Sequence, residues 1–344
     1  MHIILVGPEY YNYSEGIISA FISLGCEVDF FPSVEFYENC SWYQRRLYKL
    51  GYKSLEKIWN NDWETRFREF IANRIRKDTI FLFCTGNMIS VRLLKDLDAY
   101  VKVLYMWDSV KRYSDDFQSR LKLYDYLFAF EFGDIEFVRK KYGVSMQYMP
   151  LGYDSDFYYP DDNVVKDIDI SFVGSCTKMR MNLLEKVARF ADCKELHLYI
   201  GGDWYKDSWR KKRSFKKKNP WIAKYHDNHN LSKAEVAEIY RRSKIVLNIN
   251  NEVHTSISPR TFEIMATKAF QLMNEGQNFL PLGLNRIDDC MGVYISDDDL
   301  ITKIEYYLNN EEICKKKAMS GYREIVDRYS QKKIVGRILS NVVG

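Results

Sequence analysis

"SPRTFEIMATKAF", residues 258–270, decides how this chain is read. Ser258 suits a helix N-cap and Pro259 the first helical position. Phe262, Met265, Ala266 and Ala269 follow at i, i+3, i+4 and i+7, a stripe that turns one helix face to a core. On either side lie two apolar runs of strand length, "KIVLNIN" (244–250) and "FQLMNEG" (270–276). Strand, helix 259–268 and strand make one unit of a parallel sheet. Arg260 and Glu263 are the exception within it, a cation and a carboxylate placed where the helix begins to bury itself.

Working outward, the same alternation continues in both directions. Upstream come strand 168–175, helix 180–191, strand 195–202 and helix 232–242; downstream come strand 292–296, helix 297–308 and a tail, 311–342, that reads as helical throughout. The first half repeats the scheme. Apolar strands are expected at 2–7, 27–33, 79–86, 101–109 and 124–134, with helices at 14–24, 88–98 and 134–142, a long aromatic and charged helical stretch at 39–76, and a closing segment at 145–154. The acidic, aromatic segment 153–169, broken by Pro160, reads as a linker. The predicted fold class is α/β: two tandem Rossmann-like domains, 1–155 and 165–328, each with a parallel sheet wound on both faces.

Size and composition agree. A chain of 344 residues exceeds one ordinary core, and 46% hydrophobic with 15% aromatic content is that of a folded protein. Net charge of +4 is too small to imply nucleic acid. Seven cysteines are dispersed without CxxC or Cys/His ligand spacing, so no zinc site or other metal is expected, and reduced thiols point to a cytoplasmic protein. The amino terminus lacks the basic start and long apolar region of a signal peptide, and no run approaches 18 apolar residues.

Open parallel sheets bind ligands beyond the carboxyl ends of their strands, near helix starts. Ser258–Thr261 supplies backbone N–H donors there, and Arg260 adds a group able to bind phosphate through two bonds. Glu263, nearly one turn deeper, could accept hydrogen bonds from both hydroxyls of a ribose. The plain alternative is a surface Arg260–Glu263 pair at i, i+3. "VGSCTKMR" (173–180) offers a second turn of the same kind: Gly174 and Ser175 end a strand and Arg180 starts a helix. No GxGxxG follows either first strand and no Walker loop occurs, which argues against nicotinamide binding and P-loop chemistry.

With these elements in place, "ISFVGSCTKMR", "LNINNEVHTSISPRTFEIMATKAFQLMNE" and "DDDLITKIEYYLNNEEICKKKAMSGYREIVDRYS" resemble the C-terminal half of glycosyltransferases of the GT-B fold, and look most like the group related to the spore-maturation protein CgeB. The resemblance covers about 168–342; residues 1–150 share only the strand pattern. It implies an interdomain cleft, with a nucleoside-diphosphate sugar on the C-terminal domain and the acceptor on the N-terminal one. It also implies a last helix, about 329–344, crossing back onto the first domain. By position, Glu263 would hold the ribose; Arg260, Ser258, Thr261 and the helix start would hold the diphosphate; Gly174, Ser175 and Arg180 would line the same cleft. Many retaining relatives carry a second Glu eight residues before the ribose Glu, where this chain has Thr255.

The implied reaction is transfer of a sugar, from a uridine-type donor, to a glycan, lipid-linked saccharide or protein acceptor. It needs neither cofactor nor metal, since positive groups and aligned N–H donors stabilise the departing diphosphate. A general base would come from the first half, with Asp108 in "MWDS" the first choice and Glu9 in "GPEY" the second; Glu131 and Asp134 follow, and each can equally be a cap or a solvated carboxylate. His226, His229 and His254 could serve as base or nucleobase contacts, or be plain surface histidines. A nucleotide-sugar epimerase of the same fold and a non-catalytic sugar-nucleotide-binding or spore-coat assembly protein remain open. The run "KDSWRKKRSFKKK" (206–218) sets eight Lys/Arg against one Asp. With Trp209, Phe215 and Trp221 interleaved, it suits an anionic membrane surface, and so a peripheral site on the inner face of the plasma membrane; a solvated loop is the alternative.

Overall fold

The alternating segments fold into two all-parallel sheets. The structure is a computed structural model that describes residues 1–8, 13–33, 36–84, 86, 88–206, 208–250, 255–284 and 287–344. Two compact units result, Met1–Leu151 with Gln331–Gly344, and Gly152–Ser330.

In the first unit, strands β1 (His2–Gly7), β2 (Glu27–Pro32), β3 (Thr79–Phe83), β4 (Val101–Met106), β5 (Tyr126–Ala129) and β6 (Gln147–Tyr148) line up in the order 2-1-3-4-5-6. Helices α1 (Tyr13–Ser23), α2 (Phe36–Asn39), α3 (Trp42–Lys49), α4 (Ser54–Ala72), α5 (Val91–Asp96), α6 (Asp115–Ser119) and α7 (Phe132–Tyr142) connect them. A parallel sheet is covered on both faces, so its strands read as continuous apolar runs. Ile4, Val6, Phe81, Phe83, Leu104 and Met106 accordingly pack with Trp63 and Phe67 of α4 in one core. Each such side chain contributes about 2–3 kcal/mol by leaving water.

In the second unit, β7 (Ile168–Val173), β8 (Leu198–Gly201), β9 (His226–Asp227), β10 (Ser243–Asn248), β11 (Gln271–Asn274) and β12 (Gly292–Tyr294) take the order 12-11-10-7-8-9. The helices are α8 (Lys178–Cys193), α9 (Trp209–Lys218), α10 (Ile222–Tyr225), α11 (Lys233–Arg242), α12 (Pro259–Ala266), α13 (Asp297–Leu308) and α14 (Glu311–Ile325). The chain starts in the middle with β7, builds outward to β9, then returns to β10 on the other flank of β7. The switch point, where ligand crevices open in doubly wound sheets, lies between the carboxyl ends of β7 and β10.

The two-sheet α/β expectation is met; several elements differ in detail. The tail is not one helix: α14 ends at Ile325, and α15 (Gln331–Val343) belongs to the first unit, where it packs on α1. Between them Tyr329 gives its carbonyl to the Tyr153 N–H and Ser330 pairs with Tyr153, so backbone bonds leave the helix for a neighbouring segment. No Gly or Pro marks that break. The expected strand 124–134 stops at Ala129, because Phe132 already opens α7. The basic run is no loop but a helix, α9, capped by the Ser208 hydroxyl.

Candidate functional site

Two helix starts, α8 and α12, open at the switch point. Gly174 follows β7, and its lack of a side chain is used: a Cβ there would stand 2.6 Å from Arg260 Nη2. Gly202, after β8, has φ +148°, and a Cβ on it would fall 2.6 Å from both the Gly174 carbonyl oxygen and Trp204 Nε1. Trp204 Nε1 donates to that same carbonyl at 2.7 Å. Two glycines thus let the loops after β7 and β8 close on one another and leave room for a guanidinium.

Arg180 and Arg260 converge from the two helices. Both guanidinium carbons lie 5.7 Å from the centre of the Phe172 ring. Arg180 is buried and acts as a brace: Nε and Nη2 donate to the Ile249 carbonyl at 3.1 and 2.8 Å, while Nη1 donates to the Ser175 carbonyl and hydroxyl at 3.1 and 2.8 Å. Arg260 reaches Ile249 O only at 3.5 Å and makes no ion pair among the described residues.

The start of α12 departs from expectation in a telling way. Ser258 occupies the N-cap, yet its hydroxyl makes no capping bond. It donates instead to Asn250 Oδ1 at 3.1 Å. Thr177, Ser208, Ser232 and Ser296 do cap α8, α9, α11 and α13 with their hydroxyls. At α12 Pro259 carries no N–H and the Thr261 N–H donates to the Ser258 carbonyl at 3.0 Å, so the Arg260 and Phe262 N–H groups and the positive end of the helix dipole are left without a side-chain cap. The turn is held from below by side chains that sequence reading missed. Asn248 Nδ2 donates to Thr261 Oγ1 and Gln271 Oε1, each at 2.9 Å, and Asn274 Oδ1 accepts the Asn250 N–H at 2.7 Å. The signal was present: Asn248 and Asn250 alternate at the end of a strand and therefore share one face. Thr261 is buried in this network, so its hydroxyl points inward rather than to the crevice.

Glu263 is half-buried and has neither hydrogen bond nor ion pair among the described residues, Arg260 included. The i, i+3 surface pair is not formed. Burial pushes the Glu263 carboxyl up to about 7; the positive charges of Arg260 and Lys233 pull it down, and Asp154 pushes it up. Lys233, at the start of α11, pairs with Asp154 at 2.7 Å with both side chains largely buried. An unengaged carboxylate beside fixed cations, one turn inside an uncapped helix, is a place where donor hydroxyls gain most from arriving.

The other candidates are placed as follows. Asp108, in the first unit, has both oxygens engaged: Oδ1 accepts the Ser109 N–H and Oδ2 pairs with Arg112, each at 2.7 Å. Asp134 is sealed, accepting from Ser109 Oγ at 2.8 Å and Val110 N at 2.6 Å, and burial raises its pKa. Glu131 is buried at the start of α7. Glu9 and His254 lie outside the described residues. Thr255 is exposed and gives its carbonyl to the Asn278 N–H. His229 bridges Asp227 and Glu235, at 3.0 and 3.4 Å, and these bonds raise its pKa. His226 stacks on Trp204 with 4.1 Å between centres, and burial lowers its pKa. It lines a 350 Å³ recess with Tyr205, Phe215, Lys212 and Lys216. A larger cavity of about 770 Å³ opens at the ends of β11 and β12, lined by Lys178, Asn182, Asn274, Glu275, Tyr294 and Asp297. It shares Asn274 with the network under α12, but neither Arg260 nor Glu263 lines it.

Residues 180–340 match the protein family described as glycosyl transferase-like. No curated protein matches the chain. Among solved structures, a glycosyltransferase from Rickettsia africae ESF-5 is 11% identical, with TM-score 0.68 over 99% of this chain and 97% of its own. HepE from Anabaena, solved with UDP and glucose, is 10% identical, with TM-score 0.66 over 100% and 99%. A putative UDP-N-acetylglucosamine 2-epimerase from Listeria monocytogenes is 11% identical, with TM-score 0.61 over 99% and 95%. At these identities the likeness is one of fold, the GT-B arrangement of two Rossmann-like domains.

Proposed function

We propose that the protein, whose residues 180–340 match a glycosyl transferase-like family and whose fold is GT-B, transfers a sugar from a nucleoside-diphosphate donor and that the switch point between β7 and β10 holds the nucleotide. The observation that carries this reading is Glu263: a carboxylate with no partner among the described residues, one turn inside a helix whose N-cap serine is turned away. Its two oxygens match the two hydroxyls of a ribose in number and role. The uncapped N–H groups and Arg260 take the diphosphate. Arg180, Ser175 and Thr261 hold the loops that position them. The HepE structure, solved with UDP, favours uridine as the base.

The transition state has oxocarbenium character and the departing diphosphate gains charge. Arg260 and the aligned N–H donors stabilise that charge as it develops. In the first unit Asp108 is the candidate base; it would have to release Arg112 to take the acceptor proton. The acceptor is a glycan, lipid-linked saccharide or protein. None of the eight cations of 206–218 forms an ion pair among the described residues, which suits an anionic acceptor or membrane surface at α9.

A thermal-shift series with UDP, GDP and ADP on the parent and on Glu263→Ala tests the reading. A nucleotide at ~100 times its dissociation constant stabilises by about 2.7 kcal/mol. We expect that gain with one nucleotide in the parent and its loss in the variant. Equal shifts in both proteins for every nucleotide would remove the ribose role. Incubation with the matching sugar nucleotide then separates transfer to an acceptor from epimerised donor and from binding without turnover.

A further inference from the structure

The first unit carries an apolar and cationic corner that nucleotide transfer does not explain. Helix α3 begins with a full capping box: the Ser41 hydroxyl accepts the Gln44 N–H, and the Gln44 side chain accepts the Ser41 N–H. Its inner side rests on α4, with the Tyr48 ring 5.4 Å from Phe36 and the Tyr48 hydroxyl donating to Glu56 at 2.7 Å. Trp42 is 73% exposed, Tyr43 58%, Leu50 70%, Tyr52 58%, and Ile58 of α4 64%. Soluble surfaces rarely gather large apolar side chains in this way without a use for them.

The charges within 41–58 are mostly positive, five Lys/Arg against Glu56, which accepts from the Tyr48 hydroxyl. Residues 39–55 contain Arg45, Arg46, Lys49 and Lys53 and no Asp or Glu. Arg46, Lys49, Lys53 and Lys57 form no ion pair among the described residues; Lys53 lies over the Tyr48 ring at 3.7 Å. Some long cations elsewhere in this unit are matched, as Arg68 is to Glu64 and Asp96. Arg46 and Lys49 follow Trp42 at i+4 and i+7, so they stand on the same helix face as the exposed ring.

We propose that this corner, 41–58, docks on a bilayer of anionic lipids, with Trp42, Tyr43, Leu50 and Tyr52 entering the headgroup boundary and Arg46, Lys49 and Lys53 meeting lipid phosphates. Aromatic rings and leucine interleaved with lysine and arginine is the pattern of a helix lying in a membrane interface. A protein partner fits less well, because lysine is depleted from the centres of protein interfaces. A nucleic acid would use the rings and cations but not Leu50 and Ile58. No helix among the described residues is long and apolar enough to cross a membrane, so the contact is one of lying on a surface. The inference is independent of the nucleotide site.

Flotation of the full chain with vesicles tests it. The vesicles are phosphatidylcholine alone, or phosphatidylcholine with a third phosphatidylglycerol. We expect at least tenfold stronger partitioning to the anionic vesicles. Each basic residue at such a surface is worth about fivefold, so Arg46→Glu/Lys49→Glu/Lys53→Glu loses on the order of a hundredfold. Trp42→Ser/Leu50→Ser loses the part of binding that survives about 0.5 M salt, where charge attraction is screened. All these positions are exposed, and an unchanged nucleotide shift certifies folding. Equal partitioning to both vesicles overturns the proposal. So does parent-like binding by both variants, or loss of binding only with Arg210→Glu/Arg213→Glu/Lys217→Glu in α9. Self-association of the parent that Trp42→Ser/Leu50→Ser abolishes, with no vesicle binding, assigns the face to a second copy and overturns it as well.

Discussion

Glu263 ties chemistry to stability at one side chain. Its folded pKa, about 7, lies above the ordinary 4.5 of an unfolded glutamate, so the folded protein holds the proton more tightly. Stability is greatest below about pH 4.5 with respect to this group; it declines as pH rises towards 7 and stays reduced above. The side chain is only half-buried, which discounts the cost to on the order of 1–2 kcal/mol. Glu263→Gln should therefore stabilise the nucleotide-free protein by about that amount near pH 8, read by urea unfolding, and abolish the nucleotide shift. In the parent, nucleotide affinity should fall by up to about tenfold per unit as pH drops from roughly 7, because a protonated carboxyl cannot accept from both ribose hydroxyls. A flat affinity profile, or one that Glu263→Gln reproduces, contradicts this. Gly174 makes a second, steric prediction. Gly174→Ala drives a methyl into Arg260 Nη2, and titration calorimetry should show nucleotide affinity lowered about tenfold or more, with the far-ultraviolet spectrum unchanged. Residue types and their spacing were legible in the sequence at both places. That Arg260 lies over Gly174, and that Glu263 stands without Arg260 as its partner, was not, because both depend on the close approach of β7 and β10 across seventy residues.

Among the elements, α8 and α12 look alike in sequence, each a small polar N-cap before a basic first turn. They differ in use. Thr177 Oγ1 accepts the Arg180 N–H, whereas the Ser258 hydroxyl goes to Asn250. Thr177→Ala should cost about 1 kcal/mol of stability through the lost cap. Ser258→Ala loses no cap but takes the donor from Oδ1 of the buried Asn250, and should cost about 1 kcal/mol or more. Matched urea titrations decide, and a Ser258→Ala variant as stable as the parent contradicts that role. The preference for Ser at an N-cap is a local propensity and was read correctly as position. The hydroxyl's partner is settled by Asn250, which only the sheet brings near. The same holds for α9: a solvated loop was one of two readings of its charges, but the Ser208 cap and the packing of the half-buried Phe215 against Trp204 go with a helix.

At the scale of the whole molecule, the chain leaves the second unit at Ser330 and ends in the first. Helix α15 buries Ile334, Val335 and Ile338 and packs on α1. Ending the chain after Ser330 should strip the first unit of on the order of 5 kcal/mol, seen as early proteolytic cleavage within residues 1–151 while the second unit persists; equal resistance of both units would show α15 to be dispensable. Much of the fold was settled by sequence alone. Continuous apolar strands alternating with amphipathic helices admit little but parallel sheets covered on both faces, since hydrophobic period is local and additive. Strand order, the switch point between β7 and β10, the break before α15 and the pairing state of each charged side chain were decided only by the tertiary structure. These follow from which distant segments meet, and a carboxylate's partners and desolvation are set in space, by neighbours that sequence distance does not reveal.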